Sequence, residues 1–314
     1  MSQSAQSHLT LILDLSPKQW HLSSLEPDGQ ALSLLSFITQ VLAFMNSHLA
    51  LRHENTISVL GAFPRKSVML YSTPGANDSG LDSTAPQDAN TYQPFKTVDT
   101  IVSSRIMEEM ESISDSIDSP TGLVGALSKG LCHINRVINP ATRSSIESSS
   151  PLDPRMLILS VSPDMSTSYI PIMNTIFAAQ KLKVKIDVCK IFGEDNVFLQ
   201  QAAHLTGGSY VALMQRNALL QYLVMCFLAS SSLRKIVAFP THDRVDLRAA
   251  CFCHKDIVDI GYVCSVCLSI FCSPVPVCST CRTKFPVKTL RRFGFGPPKA
   301  VGNGTSKSGS ATPQ

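Results

Sequence analysis

Along the first 230 positions the apolar residues follow two rhythms. Short runs such as "HLTLILDLS" (8–16), "RMLILSVS" (155–162) and "VKIDVCKIF" (184–192) are apolar on consecutive residues. That is the pattern of strands buried on both faces of a sheet. Between such runs the apolar residues fall three and four apart. In "ALSLLSFITQVLAFMNSHLALRH", Leu34, Leu35, Ile38, Val41, Leu42, Met45 and Leu49 predict a helix with one apolar face. Helices are predicted likewise over Val98–Ile113, Thr121–Ile138, Tyr169–Leu182, "EDNVFLQQAAHLTGG" and "NALLQYLVMCFL". "NTISVLGAF", "SVMLYST" and "SYVAL" complete six strands. The link at Pro64-Arg65-Lys66 is too short for a parallel crossover, so the strands it joins pair antiparallel. Strands alternating with helices predict an α/β, doubly wound fold, with a mostly parallel six-stranded sheet covered on both faces. No unit repeats along the chain. The most apolar long run, Leu219–Ala229, is too short to span a bilayer and contains Gln221.

Punctuation divides the chain. Residues 1–7 read as a flexible N-terminus and 8–230 as the α/β domain. Residues 231–250 read as a linker, 251–285 as a cysteine-rich module, and 286–314 as a basic, disordered tail. Two inserts, 72–95 and 141–154, are rich in Ser, Pro, Gly and Asp. They bury too little apolar surface to offset ordering and read as mobile. With 314 residues, 44% of them apolar and 16% charged, the chain can hold one large core and a small companion. The formal net charge is +4, yet from Arg282 onward there are seven Lys/Arg and no Asp/Glu, leaving about −3 for the rest. Such a tail can touch nucleic acid or simply be solvated. The opening "MSQSAQSHLT" lacks the basic start of a secretory signal, which points to the cell interior, where thiols stay reduced.

Seven of the ten cysteines lie between Cys251 and Cys281. In a reducing setting such a cluster argues for metal before disulfides. Cys264-x2-Cys267 and Cys278-x2-Cys281 supply two turns, each presenting two thiolates to one cation at about 2.3 Å. Four soft, anionic sulfurs suit structural Zn2+ and leave no open position for water. Cys251, Cys253, His254 and Cys272 read either as a second metal site or as filling for the small core around the first. Cys132, Cys189 and Cys226 fall on apolar faces, as core residues do.

The doubly wound domain invites a search for catalytic residues. GxSxG, GxxxxGK[ST] and GxGxxG are all absent, and no histidine is placed as a general base. The first strand ends in "DLSPK". There Asp14 and Ser16, joined by Thr121 and Asp164, would offer oxygen to a hard cation, although Lys18 opposes one. Alternatively, Ser16 and Thr121 pin loops while Asp14 satisfies backbone donors.

"DLSPK", "TGLVGAL" and "AAHLTGGSY" resemble the von Willebrand factor A domain. That fold opens with Asp-x-Ser-x-Ser, carries Thr before a Leu-x-x-Ala-Leu helix, and closes near Leu-Ala-x-x-Thr-Gly-Gly-x-Tyr. Lys18 stands where the second serine would be, and "SVSPD" replaces the usual Thr-Asp-Gly. Joined to "CFCHKDIVDIGYVCSVCLSIFC…VCSTC", the chain from about residue 8 to 285 closely resembles the smaller von Willebrand A-like subunits of the transcription and repair factor TFIIH, which end in a four-cysteine zinc finger. The resemblance implies a non-catalytic, nuclear subunit. It implies pairing with the larger von Willebrand A-like, RING-like subunit, in support of a core complex with two helicases. That complex acts in promoter opening by RNA polymerase II and in nucleotide excision repair. A zinc-finger nucleic-acid-binding module using the basic tail is the alternative. A third reading is a metal-dependent adhesion-type site at Asp14, Ser16 and Thr121. No membrane partner is implied, and direct nucleic-acid contact stays open.

Overall fold

In the computed structural model, β1 (Gln6–Asp14) lies at the middle of the sheet and is buried along nearly its whole length. The structure describes residues 6–25, 31–73, 92–113, 119–139, 152–163, 169–230, 233–237, 245–254 and 256–286. Asp164, the basic tail beyond 286 and most of the two expected inserts lie outside them. β1 pairs parallel with β2 (Thr56–Phe63) on one side and β4 (Leu152–Ser160) on the other, aligning Leu11 with Val59 and with Leu157. β3 (Lys66–Ser72), β5 (Lys185–Lys190) and β6 (Tyr210–Ala212) complete the order β3-β2-β1-β4-β5-β6. β3 alone in this sheet is antiparallel, and it returns through a turn in which Arg65 takes φ 57°. This is the doubly wound, mostly parallel sheet that the apolar runs predict. β4 starts earlier than expected: Leu152, Asp153 and Pro154 pair with Gln6, Ser7 and His8, so the second insert ends in a strand.

The helices are α1 (Pro17–Leu25), α2 (Leu34–Leu51), α3 (Gln93–Glu111), α4 (Leu123–Ile138), α5 (Tyr169–Lys181), α6 (Val197–Thr206) and α7 (Leu219–Tyr222). α2 is long and apolar enough to cross a membrane by composition, a property the sequence reading assigned to no segment. It nevertheless turns Phe37, Val41, Phe44 and Met45 into the core, as a buried helix of a globular domain does. α1 was not expected. Its buried residues are Trp20 and Ser23, so no apolar stripe announces it. Trp20 anchors it by donating from Nε1 to the Asp14 carbonyl (2.9 Å) and packing on Phe37. The expected final helix is composite: a 3-10 turn (Arg216–Ala218), α7, and a π turn (Leu223–Phe227).

α6 closes on Gly207, whose φ of 71° is the left-handed cap conformation. Gly208 is required for a different reason. A Cβ there would stand 1.9 Å from the Ile186 carbonyl oxygen of β5.

By contacts the chain divides into Met1–Leu247 and Arg248–Gln314. The second unit has little regular structure. Among the described residues, its two-stranded sheet pairs β7 (Tyr262–Val263) with β8 (Ile270–Phe271), and its apolar core consists of Phe271 and the cysteines Cys264 and Cys278.

Candidate metal centre

The smaller unit is built on a hairpin used more than once. Val263 pairs with Ile270 around one tight turn, and Val277 with Lys284 around another. Inside the first, the Cys264 N–H donates to the Ser269 carbonyl and the Leu268 N–H to the Cys264 carbonyl, each at 2.9 Å. Inside the second, Cys278 donates to Thr283 and Arg282 to Cys278, again at 2.9 Å. Leu268 and Arg282 both adopt φ 60°, a left-handed conformation that bends each turn back under its cysteines. The two segments are "VCSVCLSIF" and "VCSTCRTKF", so a nine-residue unit recurs, contrary to the expectation of no internal repeat.

This geometry brings the four expected cysteines together. Cys264 Sγ stands 3.7 Å from Cys281 Sγ, and Cys267 Sγ 3.5 Å from Cys278 Sγ. All four sulfurs lie within 4.8 Å of one another. A tetrahedron with metal–sulfur bonds of about 2.3 Å has edges of about 3.8 Å, so the sulfurs already sit close to ligand positions. The turns also favour the thiolate form at the second cysteine of each pair. Ser269 Oγ lies 3.1 Å from Cys267 Sγ, and Thr283 Oγ1 lies 3.1 Å from Cys281 Sγ. Hydroxyl and backbone donors of Ser269 bring the Cys267 thiol down to about 6, and those of Thr283 lower Cys281. Soft, anionic, tetrahedrally disposed and backed by little apolar core, this donor set can hold one metal ion in a closed site.

Cys251, Cys253, His254 and Cys272 form a second group, with ligand atoms also within 4.8 Å of one another. Cys251 is buried, but Cys253 and His254 are exposed, so they do not fill the small core. Of the three cysteines expected in the large core, Cys189 and Cys226 are buried there and Cys132 faces outward on α4.

At the carboxyl edge of the sheet, Asp14 is fully buried and accepts through Oδ2 from the backbone N–H groups of Val161 (3.1 Å) and Ser162 (2.8 Å). Burial raises its carboxyl, and those two donors work against the rise. The buried cation whose charge acts on Asp14 is Lys190, at the end of β5. Its Nζ donates to the Ser162 carbonyl at 2.6 Å. Lys18, expected in that place, is exposed on α1. Ser16 is buried and its carbonyl starts α1 by accepting from Trp20 (3.1 Å), while Thr121 bridges to Pro64 before α4. Asp14 thus ties β1 to the loop after β4, with an ammonium near its charge where a cation site would need a divalent ion.

A second polar cluster went unnoticed in the sequence. His8 Nδ1 lies 2.8 Å from Thr56 Oγ1, and the His8 ring stacks on His133 at 5.6 Å. Burial, then the neighbouring His133 and His48, depress His8 to about 3, and burial depresses His48 to about 4. His8 and Thr10, polar residues at alternate positions in the strand, were the available signal.

The family model described as Transcription factor Tfb4 matches residues 6–282. The general transcription and DNA repair factor IIH subunit tfb4 of Schizosaccharomyces pombe is 41% identical over 287 residues, covering 91% of each chain. Its Arabidopsis thaliana counterpart is 34% identical over 287 residues, covering 89% of each. Among solved structures, the crystal structure of the TFIIH p34 N-terminal domain superposes with a TM-score of 0.59 at 30% identity. It covers 71% of this chain and 98% of that domain.

Proposed function

The chain belongs to the Tfb4 family of general transcription and DNA repair factor IIH subunits, and we propose that its work there is architectural and not catalytic. Its function is that of a structural subunit of factor IIH in transcription and DNA repair. The observation that carries this reading is that one family match runs through both units, from the first sheet strand to the second cysteine turn. The carboxyl edge of the sheet adds support. In doubly wound enzymes that edge receives the ligand, whereas here Asp14 Oδ2 accepts from Val161 and Ser162 and the carboxylate meets the charge of Lys190.

Within that role, the subunit serves promoter opening by RNA polymerase II and nucleotide excision repair in the nucleus. Its chief partner is the larger von Willebrand A-like, RING-like subunit. Its parts are an A-like domain over 8–230, a linker, a zinc module over 251–285 and a basic tail. Cys264, Cys267, Cys278 and Cys281 hold Zn2+, which contributes the folding energy that the small core of Phe271 and its neighbours cannot. The ion is structural, because four thiolates leave no position for substrate or water.

The test is purification of the tagged chain from nuclear extract, with mass spectrometry of whatever elutes in stoichiometric amount. The larger A-like subunit and the helicases should come with it. Recovery of the chain alone, or with nucleic acid only, would overturn the architectural reading.

A further inference from the structure

The turn that carries the candidate zinc ligands occurs a third time. In both copies already described, the residue before the first cysteine pairs with the residue six after that cysteine. Ala250 pairs with Ile257 in the same relation to Cys251. The first cysteine's N–H donates to the carbonyl five residues on. Cys251 does so to Asp256 at 2.8 Å, as Cys264 does to Ser269 and Cys278 to Thr283. One rung out, Val258 donates to the Ala249 carbonyl at 3.0 Å, matching Phe285 to Pro276 at 3.0 Å. In the second turn the N–H of Cys281 points at Cys278 Sγ (3.5 Å), and in the third, "ACFCHKDIV", the N–H of His254 points at Cys251 Sγ (3.4 Å). Cys251 and His254 therefore occupy the two positions that hold ligands in the other turns.

We propose that Cys251, Cys253, His254 and Cys272 bind a second Zn2+. The imidazole would coordinate through Nδ1 and the three thiols as thiolates. The remaining two donors are already delivered to the turn. Phe252 donates its N–H to the Ile270 carbonyl at 2.7 Å, which sets Cys253 beside the residue that follows β8. Cys253 Sγ then lies 3.4 Å from Cys272 Sγ, and His254 Nδ1 lies 3.3 Å from the same sulfur. A site with metal–sulfur bonds of about 2.3 Å and a metal–nitrogen bond of about 2.0 Å has edges of roughly 3.5–3.8 Å, so small shifts complete it. A disulfide needs sulfurs about 2.05 Å apart, and all ten cysteines are free. Three thiolates and one imidazole form a closed structural set for zinc, as four thiolates do. The two sites differ in shelter. Cys253 and His254 are exposed, whereas Cys264 and Cys278 are buried, so the second ion exchanges with chelator first.

The test is metal analysis of the purified full chain, washed with a weak chelator. The expected content is about two zinc ions per chain, one for each cluster. Cys272→Ser or Cys253→Ser should lower it to about one, and so, separately, should Cys281→Ser. A single zinc that survives Cys272→Ser and disappears in Cys281→Ser would overturn the second site while leaving the first intact. A single zinc with the opposite pattern would instead overturn the four-cysteine site. Should Cys272→Ser unfold the whole module, His254→Cys decides the matter. Conversion to four thiolates keeps both metals but changes the visible absorption of the cobalt-substituted chain. An unchanged cobalt spectrum would refute ligation by His254. Thiol titration of the denatured, chelated, unreduced chain should find every cysteine free. A deficit of two would indicate a Cys253–Cys272 disulfide in place of the metal, and would overturn the proposal.

Discussion

Asp187 holds together a buried charge cluster whose loss should be severe. From β5 it accepts through Oδ1 from Arg234 Nη1 (2.7 Å) and from the Ser209 N–H (3.0 Å). Arg234 and Arg155 converge on the carbonyls at the end of the final π turn. Arg155 donates to Phe227 (3.1 Å) and Ala229 (2.8 Å), and Arg234 to the same two oxygens (3.3 and 3.2 Å). Cations at a helix's carbonyl end are favourable, but two guanidinium groups this deep repel each other. Burial first, and then the charge of Arg234, lower Arg155's affinity for its proton, and Asp187 opposes both. Asp187→Asn keeps shape and leaves the cations uncompensated. Removing one partner of a buried pair costs about 3–5 kcal/mol. In a unit of this size each kcal/mol moves Tm by about 2–4 °C, so the drop should be roughly 6–20 °C. The single tryptophan, Trp20, is 4% exposed in the same unit and reports its unfolding alone by fluorescence. Added salt should not restore the loss, because the cluster is shielded from ions. Glu109→Gln is the control: its partner Lys66 is half exposed, and such a pair is worth at most about 1 kcal/mol. An Asp187→Asn midpoint within about 2 °C of the parent, or no lower than that of the control, would refute the reasoning.

Three further outcomes are expected. His8 and His48 stay neutral in the fold down to about 3 and about 4, while the unfolded chain takes up their protons near 6.5. Their folded pKa values are depressed, so stability is full above about pH 7 and falls by about 2 kcal/mol per histidine on reaching pH 5. Urea titrations followed at Trp20 should show this and His8→Gln should remove about half of it; a flat profile would contradict it. Gly208→Ala should destabilise far more than Gly207→Ala, because the first drives a Cβ into the Ile186 carbonyl and the second costs about 1 kcal/mol of left-handed strain. Equal losses by thermal unfolding would mean that the close approach to β5 relaxes. Cys281→Ser should release about one zinc per chain and open the unit from Arg248 onward to trypsin, with the Trp20 transition unmoved. A module that stays resistant to trypsin without metal would refute the ligand assignment.

The sheet was legible because its central strands are buried on both faces, and a strand in that position needs apolar side chains without alternation. The antiparallel edge was legible from chain length alone, since two residues at Pro64-Arg65 cannot return a parallel strand. What escaped depends on partners far apart in sequence. Lys18 lies four residues from Asp14, yet the cation acting on that carboxylate comes from the end of β5, two strands away. Arg155 and Asp187 stood visible as charges inside apolar runs, but only the order of strands shows that Arg234 joins them. Cys132 sits one position from buried Leu131, and one step around a helix carries a side chain from core to solvent. α1 rests on one tryptophan, too little for any periodicity to register.

The cysteine unit was legible in a different way. Spacing picked out the four cysteines whose sulfurs the fold gathers, because two donors three residues apart on a tight turn face one point regardless of what surrounds them. The same emphasis on cysteine pairs hid the third turn, where a histidine stands in the place of the second cysteine and an added cysteine at position 253 breaks the pattern. Backbone hydrogen bonds identify it, and they are blind to ligand type. Among the described residues, Phe271 is the one buried aromatic in this unit's core, whereas the sheet unit buries dozens of apolar side chains. The two units are therefore stabilised by different physics. Core substitutions and acid should strike the first, and chelators the second, so that either can be unfolded while the other stands.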